Sequence, residues 1–138
     1  MPRAAIVDTG PLVAFLDRRE RHHAWSAEQV RGLDAPLLVC EPVLAEAMYL
    51  LSGQAKAQDA LFGLLEGGAL RIAFQAGEHI AALRVLQRKY RDRPISFADA
   101  CIVRMAEIFG RHLVFTLDAD FSVYRKNGRE PLDLILPA

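Results

Sequence analysis

The 138-residue sequence has little cysteine, little lysine and no excess of charge of either sign. Cys40 and Cys101 stand far apart in the sequence and form no pair with metal-ligand spacing, which favours two reduced, buried thiols. A net charge of zero argues against a tight, sequence-independent nucleic-acid binder, which usually carries a basic excess. Arginine far outnumbers lysine among the cationic residues, at 14 to 3, and arginine suits bidentate contacts with phosphate.

Long apolar runs are also absent from the sequence. No stretch approaches the roughly 20 apolar residues that a membrane-spanning helix needs, and the first residues lack the pattern of a signal peptide. We therefore expect a cytoplasmic protein without membrane segments. The hydrophobic residues make up 52% and the charged residues 25%, which fits a single globular domain over residues 1–138.

Short apolar strands alternate with helical patterns along the whole chain. The predicted strands lie at 4–7, 36–40, 70–74, 112–117 and 131–136. The predicted helices lie at 10–16, 22–33, 42–51, 55–70, 78–91 and 96–110. This alternation predicts an α/β fold, in which a parallel sheet of four to five short strands is flanked by helices on both faces.

One carboxylate interrupts the first strand–helix unit. The stretch AAIVDTGPLVAFL, residues 4–16, carries Asp8 as its single charge. Burying an unpaired carboxylate costs several kcal/mol, so Asp8 needs a partner. Asp118 follows the predicted strand 112–117 in the same way. Because parallel sheets bind ligands beyond the carboxyl ends of their strands, the two acids would lie close together if their strands are neighbours.

Two further acids stand against apolar residues. Glu46 is the only charge in PVLAEAMYLL, residues 42–51, and Asp99 borders the apolar stripe of the helix predicted at 96–110. Each acid also has a structural explanation. Asp8 and Asp118 could cap helices, Asp99 could complete a capping box with Ser96, and Glu46 could pair with a buried arginine. Taken together, however, four such carboxylates would repel one another without a cation, and carboxylate-only sites suit Mg²⁺ or Mn²⁺.

The four acidic segments, in this order and spacing, resemble those of a known family. IVDTGPLVAFL, PVLAEAMYLL, ISFADACIV and VFTLDADF are similar to the acidic blocks of PIN-domain ribonucleases, and most of all to the small VapC-like toxins of toxin–antitoxin pairs. The resemblance extends from Asp8 to about Phe121. It implies a PIN-like, Rossmann-like three-layer sandwich and an acidic pocket that holds Mg²⁺ or Mn²⁺. It also implies hydrolysis of RNA phosphodiester bonds.

The resemblance assigns roles to individual residues. It implies that Asp8, Asp99 and Asp118 hold the metal, and that Glu46 ligates it directly or through water. The auxiliary residues that it implies are the hydroxyl residues Thr9 and Thr116 and the further acid Asp120. It also implies an RNA substrate and a protein antitoxin, and we further expect a homodimer. Glu41 departs from the family, because many relatives have Ser or Thr at the start of this helix.

A basic segment precedes the predicted helix that carries Asp99. Arg88, Arg91 and Arg93 within it could guide an RNA backbone to the acids, although a solvated helix face would explain them as well. Other functions share an acidic pocket. A receiver-like phospho-acceptor domain needs a lysine near a late strand end, and a phosphatase with an Asp nucleophile needs a second acid in its first block; neither is present. A catalytically inactive PIN-like interaction domain is the remaining alternative.

Overall fold

The computed structural model describes residues 3–138 as a parallel sheet with helices packed around it. Its helices are α1 (Thr9–Leu16), α2 (His23–Arg31), α3 (Glu41–Leu50), α4 (Ala55–Gly67), α5 (Ile80–Lys89) and α6 (Phe97–Ile108). Its strands are β1 (Ala5–Val7), β2 (Leu37–Val39), β3 (Leu70–Ile72), β4 (Leu113–Phe115), β5 (Arg125–Lys126), β6 (Glu130–Pro131) and β7 (Leu134–Ile135). The predicted α/β class is confirmed.

The order of the strands creates a switch point at the centre of the sheet. The order is β3-β2-β1-β4-β7, and all the neighbouring pairs are parallel. The chain therefore builds outward on one side of β1 and then crosses to its other side with β4. Val7 pairs with Phe115, so the carboxyl ends of β1 and β4 are level with each other. Open parallel sheets bind their ligands at such a crevice.

The strands β1, β2 and β4 are short apolar segments with mostly buried side chains, whereas β3 is buried only at Leu70. Every side chain of β1 is buried, and the chain enters α1 at Asp8, which occupies the N-cap position. The helix α4 ends at Gly68, whose φ of 84° places it in the left-handed region where glycine carries no penalty. The helix α6 begins after Ser96, whose hydroxyl accepts from the amide of Asp99. Local sequence signals thus fix the starts of α1 and α6 and the end of α4.

Two of the predicted elements differ from the structure. The helix predicted at 78–91 begins at Ile80, because a 3₁₀ turn at Ala76–Glu78 precedes it. The strand predicted at 131–136 is shorter, since only Leu134–Ile135 pair with β4. Pro131 instead belongs to β6, which forms an antiparallel hairpin with β5. The turn of this hairpin contains Asn127 and Gly128, both at positive φ, which is a common hairpin signal.

Apolar side chains from the sheet and helices form a continuous core. Trp25 packs against Phe115 with ring centroids 5.7 Å apart, so its ring belongs to the core rather than to a base-stacking surface. In the part of the chain that the structure describes, no helix is long and apolar enough to cross a membrane.

Candidate active site

Asp8 lies buried at the carboxyl end of β1. Its side chain is 8% exposed, and its amide donates to the carbonyl of Phe115 at 2.9 Å. One carboxylate oxygen accepts from the amide of Thr9 at 2.8 Å, and the other accepts from the hydroxyl of Thr116 at 2.7 Å. Burial raises the pKa of Asp8 above its usual value, and the negative charges of Glu46 and Asp118 raise it further. The carboxylate that the sequence left without a partner therefore has two neutral hydrogen-bond donors.

Two threonines link the acids to one another. The hydroxyl of Thr116 donates to Asp8 and accepts from the amide of Asp118 at 3.0 Å. The hydroxyl of Thr9 donates to a carboxylate oxygen of Glu46 at 2.6 Å, which ties α3 to the start of α1. Thr9 and Thr116 are both buried. The hydroxyl residues beside the first and last acids therefore connect Asp8, Glu46 and Asp118 through one hydrogen-bonded network.

Asp99 approaches this network from α6. Its carboxylate accepts from the hydroxyl of Tyr124 at 3.2 Å, while its amide donates to the hydroxyl of Ser96 at 3.0 Å. Burial raises the pKa of Asp99 to about 6, and the negative charges of Asp8 and Asp118 contribute to the shift. Ser96 therefore caps α6 as the capping-box explanation requires, but the Asp99 carboxylate faces the other acids as well.

The four acids differ in how deeply their side chains are buried. Asp8 is buried and Asp99 is partly buried, but Glu46 and Asp118 are exposed. Glu46 lies on an apolar helix face that is itself open, because Tyr49 is 77% exposed. Asp118 also caps the 3₁₀ turn at Ala119–Ser122, accepting from the amide of Asp120 at 2.9 Å.

None of the ion pairs found among residues 3–138 includes one of the four acids. Glu46 accepts from Thr9 rather than from a buried arginine. A receiver-like lysine is also not in place: the buried Lys126 donates to the carbonyl of Gly110, and Lys89 donates to the carbonyl of Gly128. The negative charge of the four acids is therefore not balanced by a cationic side chain in the described part of the chain.

The chemistry of these residues fits a hard divalent cation. All four offer carboxylate oxygens, which are the preferred ligands of Mg²⁺ and Mn²⁺. As the side chains lie, however, no three potential ligands within residues 3–138 come close enough to enclose an ion. Each carboxylate accepts instead from a protein donor: Asp8 from Thr116, Glu46 from Thr9, Asp99 from Tyr124 and Asp118 from an amide. A bound cation would have to compete with these hydrogen bonds.

Asp120 and the arginines lie at the edge of the site. A carboxylate oxygen of Asp120 accepts from Arg93 at 2.6 Å, and both side chains are about half exposed. This contact places the loop between α5 and α6 beside the acids. Arg88 and Arg91 are exposed and free to meet a ligand. The Asp120 carboxylate thus forms an ion pair with an arginine.

Tyr124 is a site residue that sequence reasoning missed. It is buried, and its ring packs edge-on against Phe121 and Tyr90. The same packing directs its hydroxyl at Asp99. The only sequence signal is the aromatic pair of Phe121 and Tyr124 shortly after the last acid, which by itself is typical of ordinary core packing.

Comparisons with known proteins identify the family of this chain. The model of the PIN domain family matches residues 5–127, a span that contains all four acids. Ribonuclease VapC26 of Mycobacterium tuberculosis is 32% identical over 126 residues, which cover 89% of this chain and 93% of the relative. The crystal structure of M. tuberculosis VapC20, a sarcin-ricin loop cleaving toxin, superposes with a TM-score of 0.74 at 22% identity, covering 86% of this chain and 93% of that one. The likeness to VapC20 establishes the fold, and the family match together with the similarity to VapC26 shows that this chain belongs to the PIN domain family.

Proposed function

We propose that this protein is a metal-dependent endoribonuclease that hydrolyses RNA phosphodiester bonds, with the whole chain, residues 1–138, as one PIN domain. The observation that carries the proposal is the placement of four acids around the switch point of the sheet, none of which forms an ion pair within residues 3–138. The raised pKa values of Asp8 and Asp99 support it: burial is the main cause of both shifts, and the neighbouring negative charges, which a divalent cation would offset, add to them. The similarity to a ribonuclease supports the choice of substrate.

In the proposed mechanism, Asp8, Asp99 and Asp118 hold Mg²⁺ or Mn²⁺, and Glu46 binds it directly or through water. A bound cation would supply a water of lowered pKa and would offset negative charge on the phosphoryl oxygens. Thr116 holds Asp8 and Asp118 in fixed positions relative to each other, since its hydroxyl hydrogen-bonds to both residues. The protein thereby contributes position and charge, which are the main terms in phosphodiester hydrolysis.

Further residues have accessory roles in this proposal. Thr9 orients the Glu46 carboxylate through their 2.6 Å hydrogen bond. Asp120 acts as an auxiliary ligand once Arg93 leaves it, and Arg93 then becomes available to an RNA phosphate. Arg88 and Arg91 hold the RNA backbone beside the site, because both are exposed.

We further propose that the ribonuclease acts in the cytoplasm as the toxin of a toxin–antitoxin pair. The similarity to VapC26 and the VapC20-like fold support this role. An antitoxin would insert a basic side chain among the acids, which offer several carboxylates to a guanidinium. Pull-down of this chain with the product of the neighbouring reading frame tests the partner. If nothing binds and expression does not slow growth, the toxin role fails and the nuclease activity is unaffected.

We also propose that the protein forms a homodimer. Tyr49 and Leu50, at the end of α3, are 77% and 52% exposed, which is high for large apolar side chains next to each other. Sedimentation of wild type, Tyr49→Arg and the matched control Val85→Arg tests the surface. We expect Tyr49→Arg alone to give a monomer. Loss of the dimer only in Val85→Arg would place the interface on α5, and a monomeric wild type would contradict the dimer itself.

Cleavage of RNA under defined metal conditions is the direct test of the function. Structured and unstructured RNA would be incubated with the protein in Mn²⁺, Mg²⁺ or EDTA. We expect cleavage in Mn²⁺ or Mg²⁺, none in EDTA, and none by Asp8→Asn. Asp59→Asn is the matched control, because Asp59 is an exposed acid on α4, outside the site. Equal cleavage in EDTA would contradict the metal dependence. No cleavage by the wild type would favour the inactive interaction domain.

A further inference from the structure

The helices α5 and α6 leave between them a cleft that the proposed mechanism does not use. Its volume is about 320 Å³. The buried side chains of Leu83 and Ala100 line it, so the cleft is apolar at its base. Phe97 lines it from the first turn of α6, with 55% of its side chain exposed to solvent. We call this feature the α5–α6 cleft.

One wall of the α5–α6 cleft, which is mainly apolar, also carries two polar side chains. Ile80, Arg84 and Gln87 line it from α5, and their spacing of four and three residues places them on one face of the helix. Arg88 is four residues beyond Arg84 and continues the same face. The helix α5 contains three cations and no acid, although the chain as a whole is neutral. The exposed side chains of Arg84 and Gln87 therefore offer hydrogen-bond donors at the rim of a mainly apolar cleft.

The α5–α6 cleft adjoins the acids. Ser96 lines the cleft, and its hydroxyl accepts from the amide of Asp99 at 3.0 Å. These two residues are one helical turn apart, about 5 Å along the axis. Beyond the end of α5, Arg93 contacts Asp120 at the edge of the site. A polynucleotide whose backbone passes the acids would thus have the cleft within reach of an adjacent nucleotide.

We propose that the α5–α6 cleft holds an unpaired base of the RNA substrate, with the ring of Phe97 stacked on the base and Arg84 and Gln87 contacting its edge. The inference rests on the proposed ribonuclease function and names the part of the RNA that the protein reads. An exposed aromatic ring beside basic side chains is the arrangement by which proteins bind single-stranded nucleic acid. Because the base must be unstacked to enter, the site selects single-stranded or looped RNA.

An abasic scan tests the proposal. Short unstructured oligoribonucleotides would carry one abasic position, moved along the strand, and kcat/KM would be measured for each. In the wild type we expect one position at which loss of the base lowers kcat/KM by roughly 5- to 150-fold, the range for stacking on an aromatic side chain. Phe97→Ala should show a similar loss on intact RNA and no further loss at the abasic position, because both changes remove the same contact.

Matched variants separate stacking from folding. Phe62→Ala removes a ring that is 53% exposed on α4, outside the cleft, and should keep the wild-type response to the abasic position. Phe97→Trp retains an aromatic ring and should preserve discrimination between intact and abasic RNA. An abasic penalty that is the same in the wild type and Phe97→Ala would overturn the proposal. So would a dimer that Phe97→Ala alone dissociates, since a second copy of the chain would then cover the cleft.

Binding measurements distinguish a failure of this inference from a failure of the proposed function. The same oligoribonucleotides, labelled with a fluorophore, would be bound to Asp8→Asn with and without the Phe97→Ala change. Weaker binding of the abasic RNA that depends on Phe97 supports the base site, even if the wild type cuts no RNA. RNA that is cut, and bound equally with and without Phe97, overturns the base site and leaves the nuclease function in place.

Discussion

At the scale of the single residue, Asp99 has two roles that can be separated. Its amide completes the N-terminal cap of α6 with Ser96, whereas its carboxylate contributes charge to the acidic site. The first role needs only the backbone and the hydroxyl of Ser96. The second depends on the ionised carboxylate, whose pKa of about 6 lies above its ordinary value of 3.8 because of burial and the neighbouring acids.

This difference predicts how the stability of Asp99→Asn depends on pH. Between pH 3.8 and about 6, unfolded Asp99 has released its proton while the folded residue still holds it, so metal-free wild type loses stability as pH rises. Above pH 6 the penalty is complete, about 1–2 kcal/mol after allowance for solvent screening. In EDTA at pH 7 to 8, Asp99→Asn should therefore melt above the wild type, and the gap should close towards pH 4. It should also lose most of the Mn²⁺-induced rise in Tm and the cleavage of RNA.

The matched control for Asp99→Asn is Asp59→Asn, which replaces an exposed acid on α4. It should melt like the wild type at every pH and keep the response to Mn²⁺. An Asp99→Asn protein that melts below the wild type in EDTA, still gains stability from Mn²⁺ and still cuts RNA would reduce Asp99 to a part of the helix cap.

Thr116 is the residue on which the geometry of the acids depends most directly. Its buried hydroxyl donates to Asp8 and accepts from the amide of Asp118. Thr116→Val keeps the shape of the side chain and leaves both partners without this bond, so we expect a loss of about 1–3 kcal/mol in the free energy of unfolding in urea. Cleavage should fall as well. Thr116→Ser, which keeps the hydroxyl, should recover most of both, and a valine variant as stable as the wild type would contradict this account.

At the scale of secondary-structure elements, the segment that follows β4 positions α6. Tyr124 packs against Tyr90, at the end of α5, and reaches Asp99 on α6 with its hydroxyl. Tyr90 in turn accepts from the amide of Arg125 through its own hydroxyl at 2.7 Å. The two tyrosines therefore fix α5, α6 and the start of the β5–β6 hairpin relative to one another, which keeps Asp99 beside the other acids.

Tyr124→Phe tests this positioning role, because it keeps the ring and removes the hydroxyl. The hydroxyl lowers the pKa of Asp99 by stabilising its charged form, so the variant should raise that pKa further. A cation binds the ionised form of Asp99. In the variant, a larger fraction of Asp99 is protonated at a given pH, so cation binding must more often release a proton. Calorimetry should show Mn²⁺ binding weakened more at pH 6 than at pH 8, with stability changed by about 1 kcal/mol or less. Equal affinities in variant and wild type at both pH values would exclude the role.

At the scale of the whole molecule, the net charge is zero, but the positive and negative side chains are unevenly distributed over the surface. The acids gather near the carboxyl ends of β1 and β4, while Arg93, in the loop that follows α5, contacts Asp120 at the edge of the site. Such a molecule would not bind RNA by overall attraction, but it can hold the backbone on one side of the acids. Affinity for RNA should therefore be modest and should depend on few phosphate contacts.

The salt dependence of RNA binding measures those contacts. Each phosphate contact with a single strand contributes a slope of about −0.7 to the plot of log K against log salt concentration. Replacing both Arg88 and Arg91 by alanine should make the slope of Asp8→Asn shallower by about 1.4. The matched control replaces Arg18 and Arg111, which are equally exposed but lie outside this surface. If both pairs change the slope alike, the cations of α5 have no special part in binding.

The local pattern of the sequence was sufficient to predict the α/β class, most of the strands and helices, and the positions of Asp8 and Asp118 at strand ends. These features follow from short-range physics: apolar segments form buried strands, Ser96 caps the start of α6, and Gly68 ends α4. The tertiary structure decided what no local pattern contains. It brought Tyr124 to Asp99 and left Glu46 exposed. It also buried the free thiols of Cys40 and Cys101. These contacts join residues distant in the chain, so they depend on the packing of whole elements.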